Sequence, residues 1–219
     1  MRNVIILGAG GAGAEVTFYI EDNNSKVKKD EQINILGYID DSYDNWKKYN
    51  YEAPLLSNLD SYIPKPDEEI LIAVMDIKDR INLIQSLISK KAKIGSFIHN
   101  NSILPKRNFN IGIGNIIFPF CIIEQNAIVG DYNFLTSYSF ISHDCVVGNN
   151  NFFSTAGIAG NVRVGNNNYF GSKSNAIPGV EIGNNNIIQA GMVVNKNVKD
   201  NTTVFYRYKE QILAIPKPK

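Results

Sequence analysis

Val147-Gly148-Asn149-Asn150-Asn151 is followed by Val164-Gly165-Asn166-Asn167-Asn168 and then by Ile182-Gly183-Asn184-Asn185-Asn186. Towards the N-terminus the same dipeptide occurs as Val129-Gly130 and Ile111-Gly112, so five copies follow one another at intervals of 18, 18, 17 and 18 residues. A weaker six-residue beat runs inside each interval, as in Val180, Ile182, Ile187, then Ala190, Val193 and Val198. Three hexads per 18 residues describe one coil of a parallel β-helix with three flat faces. Each corner needs positive φ, which Gly and Asn adopt at least expense, while branched aliphatics between the corners stack coil upon coil. Asn-rich tracts also occur in low-complexity segments, but their register with Val, Ile and Gly speaks for a folded repeat.

The first ninety-odd residues follow a different rule. Asn3 to Leu7 reads as a short apolar strand, Gly8-Ala9-Gly10-Gly11-Ala12-Gly13 as a turn, and Ala14 to Asp22 as a helix with Val16, Tyr19 and Ile20 at helical spacing. Further strands are expected over Ile33 to Ile39, Glu69 to Val74 and Ala92 to Ile98, with an amphipathic helix over Ile77 to Ser89. Alternating strands and helices predict a small α/β domain with a mainly parallel sheet over residues 1–97, ahead of the coil at 98–219. Gly8, Gly10 and Gly13 fit G-x-G-x-x-G between strand and helix, where backbone N–H groups can meet a pyrophosphate. Asp40 or Asp41, after the second strand, could accept hydrogen bonds from a ribose or a base, and pattern alone does not rank them. The expected ligand of this domain is the diphosphate and nucleoside of a sugar nucleotide.

Composition narrows the field. With 219 residues, 44% of them hydrophobic, the chain can bury a substantial core, and a net charge of +1 makes no broad case for nucleic acid or a membrane surface. No signal-peptide pattern precedes Val4, and no apolar run approaches the length of a membrane span, so a cytoplasmic protein is expected. Cys121 and Cys145 read as free, reduced thiols, without a metal-ligand cluster.

Chemistry on the coil near neutral pH needs a proton acceptor, and the chain has two histidines. His99 lies ahead of the repeats and is expected to be structural. His143 sits in Ser142-His143-Asp144-Cys145-Val146-Val147-Gly148, where a coil corner would push its ring outward and the Asp144 carboxylate would raise its basicity. Strand alternation turns Cys145 away from it, into the coil.

These segments, with Val4 to Gly11, Gly37-Tyr38-Ile39-Asp40-Asp41 and Ile72-Ala73-Val74-Met75-Asp76, resemble the hexapeptide-repeat sugar-nucleotide acyltransferases of bacteria over essentially the whole length. That group includes enzymes that acetylate UDP- or dTDP-linked 4-amino sugars and the sialic acid O-acetyltransferases. The resemblance implies a Rossmann-like N-terminal domain, a left-handed parallel β-helix, and a homotrimer with CoA between neighbouring prisms. It makes His143 the general base, Asp144 its tuner, and the Gly157-Ile158-Ala159-Gly160-Asn161 stretch the source of an oxyanion donor, Gly160. By the same carry-over Gly8, Gly10, Gly11, Ala12, Gly13, Asp40, Asp41, Asp76 and Thr136 would bind the sugar nucleotide, and Phe152, Gly160, Asn161, Lys173 and Arg207 the acetyl-CoA. Ala12 and Phe152 stand where relatives frequently have histidine, and Thr136 where many have Asn. Lys173 equally suits a solvated corner. The implied reaction is direct N-acetylation of a nucleotide-linked amino-dideoxy sugar by acetyl-CoA, without metal. Rival readings are a sialic-acid-type O-acetyltransferase, an NAD-dependent oxidoreductase and a non-catalytic sugar-nucleotide-binding subunit.

Overall fold

The computed structural model describes residues 1–206. In chain order the N-terminal part comprises β1 (Arg2–Leu7), α1 (Gly11–Asn24), β2 (Ile33–Ile39), α2 (Tyr43–Lys48), β3 (Leu55–Ser57), β4 (Glu69–Ile72) and α3 (Ile77–Ser89). The four strands form one parallel sheet in the order β3-β2-β1-β4. Alternation along β1 decides its two faces: Val4 and Ile6 pack with Val16 and Ile20 of α1, whereas Ile5 and Leu7 pack with Ile84 and Leu87 of α3. Gly8 leaves β1 at φ +104°, and a side chain on Gly13 would lie within van der Waals overlap of the Gly8 carbonyl, so the turn into α1 closes only around glycine.

Two expectations need correction, and two short elements were not expected. Helix α1 begins at Gly11 rather than Ala14, so the glycine run supplies its first turn. The segment Ala92 to Ile98 is not one strand: Ile94 makes a single bridge to Ile70, while Phe97–Ile98 pairs with Ile116–Ile117 of the coil. Gly95 separates the two parts, where a side chain would strike the Arg2–Glu69 ion pair. Finally, α2 and β3, of six and three residues, are too short to carry a periodic signal.

From Phe97 onward, two-residue strands build a three-faced parallel β-helix. The first face holds seven strands, from Phe97–Ile98 through Phe134–Leu135, Phe152–Phe153 and Tyr169–Phe170 to Thr203–Val204. The second face holds five, including Phe140–Ile141 and Gly157–Ile158; the third is made of the five dipeptide strands, from Asn110–Ile111 to Glu181–Ile182. On the first face the second residue of each strand points inward, and Phe153 stacks on Phe170 at 4.4 Å between ring centres. The first residue points outward, so Phe97, Ile116, Phe134 and Phe152 make an apolar face that the N-terminal sheet covers with Val4, Ile6, Leu71 and Ala73.

The glycines and asparagines of the repeat divide the work differently from expectation. The dipeptide glycines have no positive φ; a side chain on Gly112, Gly130, Gly148 or Gly165 would lie 2.7–2.8 Å from the carbonyl of the next coil's glycine. They serve close approach. Positive φ falls on the middle Asn of each triplet (Asn150, 53°; Asn167, 58°; Asn185, 57°) and also on Phe120, Tyr132 and Tyr138. The last Asn is buried and forms an internal ladder: Asn133, Asn151, Asn168 and Asn186 each donate a backbone N–H to the side-chain oxygen of the preceding coil's Asn at 2.8–2.9 Å. The 17-residue coil loses its residue at the corner between first and second faces, where Ser154-Thr155-Ala156 replaces a four-residue corner such as Thr136 to Ser139.

Candidate active site

His143 and Asp144 occupy the corner between second and third faces. Asp144 takes φ 59°, which an Asp tolerates, and this turn brings its carboxylate back to the preceding ring. His143 Nδ1 lies 2.7 Å from Asp144 Oδ2, and Asn126 of the coil below donates to Asp144 Oδ1 at 2.9 Å. The hydrogen bond from His143, and after it that from Asn126, hold the Asp144 carboxyl below the usual range. A carboxylate only accepts, so the proton of neutral His143 belongs on Nδ1 and the free lone pair on Nε2. Glu124 completes the corner by accepting the backbone N–H of His143 at 2.9 Å.

The ring edge bearing Nε2 rests on Gly160 of the next coil. A side chain there would lie 2.6 Å from both Cε1 and Nε2, so only glycine leaves the ring its place. Asn161 beside it has φ 62° and donates its N–H to the His143 carbonyl at 3.0 Å. The Gly160 N–H donates to no acceptor among the described residues. A base nitrogen with an unoccupied backbone donor beside it is an arrangement suited to proton abstraction with oxyanion stabilisation. His143 also borders a cleft of about 410 Å³ with Ile103, Leu104, Pro105, Ile122 and Gln125.

The other candidate residues form two further groups. Thr136 and Lys173 lie at the corner between first and second faces, not at that of His143. The Thr136 hydroxyl accepts the Thr155 N–H at 2.7 Å, and Lys173 turns its corner at φ 60° with its N–H on Ser154 and Thr155 carbonyls. Thr136 borders a cleft of about 280 Å³ shared with Glu15, Tyr19, Met75 and Ser137. Phe152 lies on the outward side of the first face, 3% exposed, between Phe134 and Tyr169. It borders a larger cleft, about 820 Å³, with Met75, Ile81, Tyr169 and Ile187. Asp76 reaches this cleft too, but as the N-cap of α3: its carboxylate accepts the N–H groups of Lys78 and Asp79 at 2.9 and 3.0 Å.

The third group surrounds the glycine turn at the carboxyl ends of β1 and β2. Asp40 and Asp41 prove to be different in kind. Asp40 is spent on the scaffold, accepting Ala9 N–H at 2.6 Å, Ser42 N–H at 2.8 Å and the Asn45 amide at 3.3 Å. Asp41 is exposed, makes one 3.4 Å contact from the Leu59 N–H, and shares a cleft of about 380 Å³ with Gly8, Asp79 and Asn82. Helix α1 starts without a side-chain cap or an acidic residue in its first turn, which leaves its amide end open to an anion near Gly11, Ala12 and Gly13. Tyr51 donates to the Ala9 and Gly10 carbonyls at 3.0 and 3.2 Å and braces the turn from outside.

His99 is buried, hydrogen-bonded to Asp22 at 2.8 Å through Nε2, and accepts the Asn101 N–H through Nδ1. Cys145 is buried in the coil core with its thiol on the Ala159 carbonyl, and Cys121 is likewise a buried free thiol. Arg207 lies outside the described residues. Glu124 and Asn126 escaped notice in the sequence. The 18-residue register places Asn126 directly beneath Asp144, so that signal was present.

Solved structures supply the comparison. The acetyltransferase domain of PglB from Neisseria gonorrhoeae FA1090, in complex with acetyl coenzyme A, superposes with a TM-score of 0.77 at 20% identity, over 92% of this chain and 95% of that one. PerB from Caulobacter crescentus, in complex with CoA and GDP-perosamine, gives 0.78 at 21% identity over 93% of each chain. WeeI from Acinetobacter baumannii AYE gives 0.75 at 25% identity over 93% and 96%. The chain has the fold of these proteins. No protein-family model matches it, and no curated protein does. Among the described residues no helix is long and apolar enough to cross a membrane, and no group of His, Cys, Asp and Glu is placed to hold a metal ion.

Proposed function

We propose that the protein is an acetyl-CoA-dependent N-acetyltransferase that acts on a nucleotide-linked amino sugar. The observation that carries this reading is the His143 corner, where an Asp-oriented imidazole lies against a glycine whose N–H is unspent. The shared fold with a domain crystallised with acetyl-CoA, and with a protein crystallised with CoA and GDP-perosamine, supports both substrate classes.

In this mechanism Nε2 of His143 removes a proton from the sugar amine as the nitrogen attacks the thioester carbonyl, and Asp144 stabilises the imidazolium that forms. The Gly160 N–H receives the developing oxyanion. Collapse of the tetrahedral intermediate expels the CoA thiolate, which leaves with the proton held by His143. The N-terminal part, read as a Rossmann-like domain, holds the diphosphate on the amide end of α1 and the nucleoside near Asp41. The coil is read as left-handed, and the chains as assembling into trimers. Exposed Ile122 and Val193 on the second face, and the exposed Phe120–Tyr138 stack beside it, support an assembly interface. Acetyl-CoA is assigned to the surfaces around Gly160, Asn161, Lys173 and Phe152, and the acceptor to those around Thr136 and Asp76. The nucleotide is uridine, thymidine or guanosine diphosphate, the last entering because of the perosamine complex.

Calorimetric titration tests the reading without a known acceptor. Acetyl-CoA and one of GDP, UDP and dTDP should bind the same preparation together. Tight NADH binding that CoA does not displace would instead support an oxidoreductase, and acetyl-CoA binding without any nucleoside diphosphate would favour O-acetylation of a free or CMP-linked sugar acid.

A further inference from the structure

Arg80, on the first turns of α3, is fully buried and has no carboxylate partner among the described residues. Its Nε donates to Asn150 Oδ1 at 2.9 Å, one terminal nitrogen to the Ile72 and Val74 carbonyls at 3.3 and 2.8 Å, and the other to the Tyr132 carbonyl at 2.5 Å. The Phe134 ring lies 5.8 Å away. A buried cation is tolerated only where its donors are met, and here neutral groups meet them. Those groups come from two places. Ile72 and Val74 belong to the carboxyl end of β4, beside the nucleotide cleft; Tyr132 and Asn150 belong to successive corners between third and first faces of the coil. The planar guanidinium thus spans the junction with several bonds at fixed angles, which a lysine cannot reproduce.

We infer that Arg80 is a positioning residue, which sets where the sugar-nucleotide cleft stands relative to the coil that carries the acyl-transfer corner. The inference rests on the acetyltransferase reading. Fixing two reactants in register is worth large rate factors, and errors of about 1 Å cost about 10²-fold. Plain stabilisation would not need a charge at this place, since an apolar side chain of similar volume stabilises a junction as well.

The test is steady-state kinetics with acetyl-CoA and GDP-, UDP- and dTDP-linked 4-amino-4,6-dideoxyhexoses, on wild type, Arg80→Lys, Asn150→Gly and Asn150→Asp, each checked by circular dichroism and thermal melting. Asn150 has φ 53°, so glycine removes the acceptor without strain and aspartate keeps one. Arg80→Lys should lose about 10²-fold in kcat with the KM for acetyl-CoA little changed, and Asn150→Gly about threefold to tenfold, while Asn150→Asp stays near wild type. Wild-type kcat in a folded Arg80→Lys and in Asn150→Gly overturns the inference and leaves the acetyltransferase reading standing. If Arg80→Lys does not fold, Asn150→Gly decides alone. A wild type that turns over none of the sugars overturns both.

Discussion

At the scale of single residues, the decisive fact is that His143 is held from both sides. Asp144 fixes the protonated nitrogen and Gly160 gives the other edge room. His143→Ala removes the proposed base and should lower kcat by about 10²–10⁴-fold. Gly160→Ala should act almost as strongly, because its methyl would displace the ring; circular dichroism and melting should stay close to wild type, which separates this from misfolding. Asp144→Asn keeps an acceptor but loses the charge that stabilises imidazolium. Because the folded carboxyl lies below its ordinary value, Asp144 stays ionised above the usual carboxylate range, and whatever stability it contributes is lost only as pH falls through that lowered value. The Asn variant should therefore be slower at every pH above about 5, seen as a downward-shifted pH–rate profile.

At the scale of elements, the coil is stitched by asparagines inside and apolar residues in layers. Asn151 illustrates it: its side-chain oxygen accepts the Asn168 N–H at 2.9 Å and its amide donates to Asn133 and to the Gly165 carbonyl at 3.0 Å. Asn151→Ala would leave buried partners unsatisfied and should destabilise the protein by about 2–4 kcal/mol, measured by urea unfolding. Much of this element was legible. The five Val/Ile-Gly dipeptides are the third face strand for strand, and the missing residue in the third interval is a real three-residue corner. What escaped was the reason for the glycines, because crowding between coils is a relation across 18 residues and leaves no local mark. The corners at Phe120, Tyr132 and Tyr138 escaped as well, since neighbouring coils, not local preference, impose their positive φ. Likewise α2 and β3 carry no period, and two apolar residues at Phe97–Ile98 could have completed either sheet.

At the scale of the whole molecule, an α/β unit is seated on one face of a β-helix through Phe97, Ile116, Phe134 and Phe152, with Arg80 and His99 as polar ties. That joining was only half legible: both parts were expected from their periods, but which face of the coil would be covered depends on outward-pointing aromatics at the first position of each strand. The contacts of the candidate site were legible where residues lie close in sequence, as at His143 and Asp144. The ranking of Asp40 against Asp41 was not, because it is decided by the Ala9 and Ser42 amides. His99 adds a pH dependence. Burial pulls its pKa down against the opposing pull of Asp22, with Lys26, Tyr19 and Phe97 also facing it. Its lowered folded value means that stability is complete above about pH 6.5 and declines as pH falls towards that value, since the unfolded chain takes up the proton first. His99→Gln should flatten this decline in melting temperature between about pH 6.5 and 5.

The central claim, that His143 drives acetyl transfer from acetyl-CoA to the amine of a nucleotide-linked sugar, is tested most directly by thiol release. Wild type and His143→Ala would be run side by side with acetyl-CoA on GDP-, UDP- and dTDP-linked 3-amino and 4-amino sugars, with product mass confirming an N-acetyl group. The expected result is turnover on one sugar that collapses in the variant. Undiminished turnover in His143→Ala, or no thiol release from any sugar by folded wild type that binds CoA, would contradict it.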